Sequence, residues 1–280
     1  MAAPISVMEA AGAAFGFLKR SWSRTAGALA LAGLLGGAAA FTFLDRDFTR
    51  AFGLLAAYLL AAVMALGALF RLAPGERPSG DLTSSVGLGG FQWGAIEGRL
   101  LAVVLLRAAL FGLLWALFLT VLAAIYVGMA AAEAAPGFAV AAEARWRPAL
   151  DPLGWTVVAG VGLAGAAGLG WIALRLCLAF PATVAAGRVQ LLSTWVLTRG
   201  GVLAILAATI LVVLPDLGVT LAVQIARSLL ISNALADHRL IAGIFGLIAG
   251  LGHSFLILPP SVGLMTYLYD RLGPEDAGVR

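Results

Sequence analysis

The stretch LIAGIFGLIAGLGHSFLILPPSVGLMTYLY, residues 240–269, contains no Asp, Glu, Lys or Arg. A helix needs about 20 apolar residues to cross the hydrocarbon core of a bilayer. Four more charge-free blocks reach that length: 25–44, 51–70, 108–132 and 152–174. A sixth apolar block, 201–230, is interrupted only by Asp216 and Arg227. Lipid offers no water to backbone N–H and C=O groups, so blocks this long satisfy them within helices. The expected fold is therefore all-α. It is a polytopic membrane protein of about six transmembrane helices, arranged as three hairpins with short interfacial amphipathic helices. The spans are placed at 26–44, 51–71, 100–128, 155–180, 201–231 and 240–268. The whole chain, 1–280, reads as one integral membrane domain.

Composition agrees. The chain is 62% hydrophobic and 11% charged, with a mean hydropathy of +1.01. A soluble domain carries roughly 25% charged residues, so no water-facing surface can be built here. The net charge of +4 is scattered as arginines among the inter-span segments and forms no basic block, which excludes a nucleic-acid footprint. Cys177 is the sole cysteine, so no intrachain disulfide is possible, and it reads as a small packing residue.

Basic residues near the span ends set the expected orientation. With the N-terminus cytoplasmic, the inside holds Lys19, Arg20, Arg24, Arg71, Arg77, Arg99, Arg188, Arg199, Arg271 and Arg280. The outside holds Arg46, Arg50, Arg145, Arg147 and Arg239. The bias favours both termini inside, with 271–280 as a cytoplasmic tail. Lys19, Arg20 and Arg24, followed by an apolar run through Ala38-Ala39-Ala40, imitate a cleaved signal peptide. The long amphipathic lead and the continuation to Leu44 favour an uncleaved first span.

Three boundaries share a pattern: Trp22-Ser-Arg-Thr-Ala-Gly27, Trp93-Gly-Ala-Ile-Glu-Gly98 and Trp195-Val-Leu-Thr-Arg-Gly200. Trp prefers the headgroup level, so Trp22, Trp93 and Trp195 are expected interfacial anchors, and Glu97 and Arg99 interfacial residues. In 1–24, Met8, Ala11, Phe15, Leu18 and Trp22 recur at helical steps, the pattern of an interfacial amphipathic helix. The linker 133–153, with Pro136, Pro148 and Pro152, reads as an external segment too short for a domain of its own.

Ionisable residues within apolar spans are costly and mark function by default. Asp216 follows Pro215 near the middle of span five. His253 lies near the middle of span six. Counted from a turn near residue 235, the two fall at nearly the same depth, and a facing pair at midplane would bind a cation, relay a proton, or simply lock the hairpin. Arg175 and Arg107, in the cytoplasmic halves of their spans, are candidate contacts for a lipid phosphate or snorkelling side chains. Arg227 reads as a snorkelling residue at the outer end of span five. Pro259-Pro260 is expected to bend or break span six. Gly160, Ala164 and Gly168, and likewise Gly246, Gly250 and Ser254, are four apart, a spacing that favours close helix crossing or association between copies.

No zinc motif, phosphate-binding glycine loop or nucleophile–base set is present. The expectation is a chain with no catalytic residues, metal or cofactor, whose partners are membrane lipids and, through the Gly/Ala stripes, a homo-oligomer or larger membrane complex.

The run Arg175-Leu-Cys-Leu-Ala-Phe-Pro181-Ala182-Thr-Val and the following Ser193-Thr-Trp195-Val-Leu-Thr198-Arg199-Gly200 carry a resemblance. They resemble bacterial six-helix membrane proteins related to the membrane domain of glycerophosphodiester phosphodiesterases. The resemblance is sharp over 175–200. It implies a six-helix architecture in the bacterial inner membrane and imports no catalysis, since the phosphodiesterase reaction belongs to a soluble barrel that is not in this sequence. Two functional expectations follow. The first is a non-enzymatic integral protein, lipid-interacting or an accessory subunit of a membrane system. The alternative is a small transporter or permease built on Asp216 and His253.

Overall fold

The structure, a computed structural model, describes residues 5–44, 46–73, 87–133, 152–232 and 238–273. Eight α-helices are described: α1 (Val7–Leu44), α2 (Phe48–Leu72), α3 (Ala95–Glu133), α4 (Pro152–Arg175), α5 (Ala179–Ala186), α6 (Thr194–Leu197), α7 (Val202–Ser232) and α8 (His238–Leu272). A 3-10 turn, Leu88–Gly90, precedes α3. No strand occurs among the described residues. Six segments are long and apolar enough to cross a membrane. The protein is thus an all-α polytopic membrane protein. Most of the expected external linker, residues 134–151, and most of the C-terminal tail, 274–280, lie outside the described residues.

The chain divides into two compact units, residues 1–104 with 175–280, and residues 105–174. In the first, α1 packs along α8 and α2, and α7 packs along α8. The longest contact is α1 on α8, and glycine makes it possible. A Cβ on Gly33 would lie 2.7 Å from the Leu251 Cα, and one on Gly250 would lie 2.7 Å from the Gly37 backbone nitrogen. The two backbones touch across Gly33 and Gly37 on one helix and Gly246 and Gly250 on the other, so any side chain would force them apart. Further along the same seam a Cβ on Gly263 would fall 3.1 Å from the Ala14 Cα. The Gly246–Gly250 stripe therefore packs within the chain. Its partner stripe, Gly33 and Gly37, is also four-spaced in the sequence and was legible there.

Segment 1–24 is not a separate helix. From Val7 it continues without a break into span one as α1. At about 1.5 Å per residue such a helix is well over the roughly 30 Å of a hydrocarbon core, so it projects beyond the bilayer. Its buried face is Ala10, Ala14, Phe17, Ser21, Thr25 and Ala28. The buried hydroxyls cap their own helix: Ser21 Oγ donates to the Phe17 carbonyl at 2.9 Å and Thr25 Oγ1 to the Ser21 carbonyl at 3.0 Å. The stripe of Met8, Phe15 and Trp22 points outward. Periodicity located an apolar face, while small residues of the adjoining face took the protein contact because they allow close approach.

Local signals end the helices as their chemistry requires. Asp47 caps α2, its carboxylate accepting from the Arg50 N–H at 3.1 Å. Gly187, in the left-handed region at φ 61°, terminates α5. Pro259 and Pro260 lie inside α8 and do not break it. Both are buried, and packing of this kind holds proline-bearing membrane helices together despite the lost donors. The main apolar core joins Phe17, Leu29, Val63, Leu69, Leu100, Val103, Phe180 and Val262.

In the second unit, α4 and the greater part of α3 meet where Phe118 fills the space beside Gly165. The Tyr126 and Trp155 rings add a contact at 6.1 Å. The most apolar stretch of each of the two helices is unburied throughout. Within this unit Gly160 and Gly168 meet no neighbour among the described residues.

Candidate functional site

Asp216 and His253 meet. The His253 Nδ1 lies 3.2 Å from Asp216 Oδ2. Equal depth followed from the residue count. The rotation of α7 and α8 that turns the two side chains toward each other did not. Asp216 sits within α7 directly after Pro215, and that proline leaves the Leu211 carbonyl without its usual helical donor. The carboxylate is buried, whereas about half of the His253 side chain is accessible. Asp216 thus grips one ring nitrogen from inside and leaves the other free to act. A carboxylate behind a histidine fixes its tautomer and ring plane. With Nδ1–H donated to Asp216, Nε2 carries the lone pair.

His253 looks into a cavity of about 460 Å³ between α1, α2, α7 and α8. That is the size range of small-molecule sites, which pair apolar walls with a few polar groups. The walls here include Phe41, Phe43 and Phe245. The polar groups are Tyr58, Thr220, Gln224, Arg227, His253 and Ser254. Thr220, Gln224 and Arg227 lie at i, i+4 and i+7, on one face of α7. The cavity occupies the half of the first unit that holds the α1–α2 turn and the end of α7. By the positive-inside expectation this is the outer half. Near His253 two buried polar atoms, Ser254 Oγ and Asp216 Oδ1, have no hydrogen-bond partner among the described residues. Such orphans are costly in an apolar interior and are commonly met by water or a ligand.

A second polar cluster was not foreseen. Glu97 is fully buried. It takes a bidentate ion pair from Arg71, with contacts of 2.5 and 2.8 Å, and its Oε2 also accepts the Gly94 N–H at 2.8 Å. Glu97 is therefore interior, not an exposed interfacial residue. The cause is helix-end electrostatics. Glu97 stands in the first turn of α3 and Arg71 in the last turn of α2, each where the helix dipole favours its charge. The carboxylate closes half of a capping box by reaching back to Gly94. Gly67 is required opposite, because a Cβ there would overlap the carboxylate. The legible signal was the three-residue spacing from Gly94 to Glu97 with Arg71 closing span two.

Arg175 is held by the segment that carries the family resemblance. Its guanidinium lies 5.5 Å from the Trp195 ring centroid, and Nη1 donates to the Trp195 carbonyl at 3.4 Å. Thr198 Oγ1 donates to the Arg175 carbonyl at 3.4 Å. The motif residues thus bind one another, Arg175 to Trp195 and to Thr198. Arg107 lies 5.7 Å from the Phe111 ring.

The three Trp elements differ structurally. Trp22 lies in mid-α1, Trp93 in the loop before α3 and Trp195 in α6. Gly27 receives the Phe91 ring, Gly98 opposes nothing, and Gly200 adopts φ 89°. The shared spacing does not encode a shared local structure. All three indoles are exposed, as membrane anchors require.

No protein-family model, no curated protein and no solved structure matches the chain.

Proposed function

We propose that the protein is a small transporter or permease whose solute site is the cavity at His253, with the Asp216–His253 pair as its proton-binding element. One observation carries this reading: a buried carboxylate orients a histidine whose free nitrogen faces a ligand-sized cavity among membrane spans. Intramembrane ionisable groups of this kind serve proton relays and solute pathways. The opposite end of the same unit holds the Arg71–Glu97 pair and Glu9, which accepts from Tyr267 Oη at 3.0 Å.

The test is electrical. Purified protein in proteoliposomes on a solid-supported membrane is challenged with panels of small anions, cations and neutral solutes. A solute-dependent current that Asp216→Asn abolishes, while the variant still elutes as a folded species, is expected. Silence toward every panel, or equal currents from the variant, contradicts the reading.

A second reading is favoured by the α3–α4 hairpin. It leaves Gly160 and Gly168 uncovered, a surface suited to lipid or another membrane helix. A lipid-interacting or accessory-subunit role would use that hairpin, and native-membrane cross-linking from residue 160 tests it. Placement in the bacterial inner membrane rests on the resemblance over 175–200.

A further inference from the structure

Within the transporter reading, which this inference deepens, the structure assigns a chemical class to the solute: we propose that the cavity binds a small organic anion with an apolar or aromatic body, its carboxylate held by Arg227. The charge inventory decides the sign. Among the described residues lining the cavity, Arg227 and His253 are the groups that carry positive charge, and none is a carboxylate. The nearest acid, Asp216, is engaged with His253. Asp216 and a protonated His253 offset each other, so the site then holds one net positive charge, that of Arg227. In that state an anion is favoured over a cation, and Arg227 is the lining cation with no carboxylate partner among the described residues.

Arg227 is partly buried, so it does not reach freely into solvent. Its planar fork suits a carboxylate. Phe41, Phe43 and Phe245 offer the body of the ligand an aromatic wall. Thr220 and Arg227 are seven residues apart on α7, about 10 Å along the helix axis. This distance sets the length of a ligand spanning from the guanidinium toward His253, the accessible hydrogen-bonding group at the other end. Proton and anion then bind in the same cavity, and protonation of His253 strengthens the hold on the anion.

The class has two sources, a dissolved aromatic acid or a fatty acid from the bilayer. The probes are 4-phenylbutyrate, dodecanoate, 4-phenylbutyramide and 4-phenylbutylamine. Binding to the full chain in nanodiscs is read by calorimetry, with empty nanodiscs subtracted. A carboxylate is expected to bind at least about tenfold more tightly than the amide, the loss typical of one charge-assisted hydrogen-bonded contact, and the amine not to bind. Preference for 4-phenylbutyrate identifies a dissolved acid, and preference for dodecanoate a membrane-derived one. Arg227→Gln is expected to erase the carboxylate preference and Arg227→Lys to keep part of it. Equal binding of amide and carboxylate, tighter binding of the amine, or no binding of either carboxylate at millimolar concentration overturns the inference. Should Arg227→Gln fail to fold, the amide comparison on the native chain still decides. Carboxylate binding without any current would remove the transport reading and leave the anion site standing. A current carried by amines would do the reverse.

Discussion

A charge inside a membrane protein persists only where a partner or a cavity offsets its desolvation. The first unit shows both solutions. Glu97 is sealed, fully buried, paired with Arg71 and bonded to the Gly94 N–H. Removing one partner of such a pair leaves a buried charge, so Glu97→Ala is expected to destabilise the fold by about 3–5 kcal/mol. Pairing it with Arg71→Leu should recover part of that loss, and thermal unfolding in detergent measures both. Asp216 differs, because its partner His253 is half accessible. The sequence showed that Asp216 and His253 share a depth, since depth along a helix is a residue count. It could not show that they touch, since helix rotation depends on the packing of every neighbour. Glu97 escaped for a related reason. Its partner lies across the 74–86 segment, and a carboxylate beside Arg99 reads as interfacial until the helix ends are in place.

Among elements, the α1–α8 seam depends on the absence of side chains. Gly37→Leu places a branched side chain where the opposing backbone already lies. Loss of most folded protein is expected, since overpacking that a backbone cannot evade costs several times the usual 1–3 kcal/mol. Gly160→Leu, on the open stripe of α4, should leave monomer stability within about 0.5 kcal/mol. Size-exclusion yield and unfolding midpoints of the two variants test the contrast. If Gly160→Leu proved as damaging as Gly37→Leu, that stripe would have a partner after all. Small-residue spacing was readable for both stripes. Which one finds a partner within the chain is a matter of tertiary arrangement. The three Trp-to-Gly elements carry the same lesson, because identical spacing serves a mid-helix position, a loop and a short helix.

At the scale of the molecule, hydropathy alone determines the six apolar spans and the all-α class, because backbone satisfaction in lipid leaves little alternative. Topology then puts the Glu9–Tyr267–Arg271 cluster at one end of the first unit and Asp47 at the other. The basic-residue bias predicts that the first end is cytoplasmic. In a Cys177→Ser background, a membrane-impermeant maleimide applied to intact cells should label a cysteine at 47 and not one at 9. The opposite pattern would invert the orientation and turn the cavity toward the cytoplasm.

The functional reading of the whole rests on one hydrogen bond, from His253 to Asp216, and one nitrogen left over. The chain has only two histidines, His238 and His253, so His238→Gln leaves a single imidazole for nitrogen-15 NMR in nanodiscs. The expected spectrum shows neutral His253 protonated on Nδ1, with the Nε2 signal moving when a cavity ligand is added. Asp216→Asn should scramble the tautomer. A His253 signal that ignores every cavity ligand, or that is the same with and without Asp216, would contradict the pair and the site built on it.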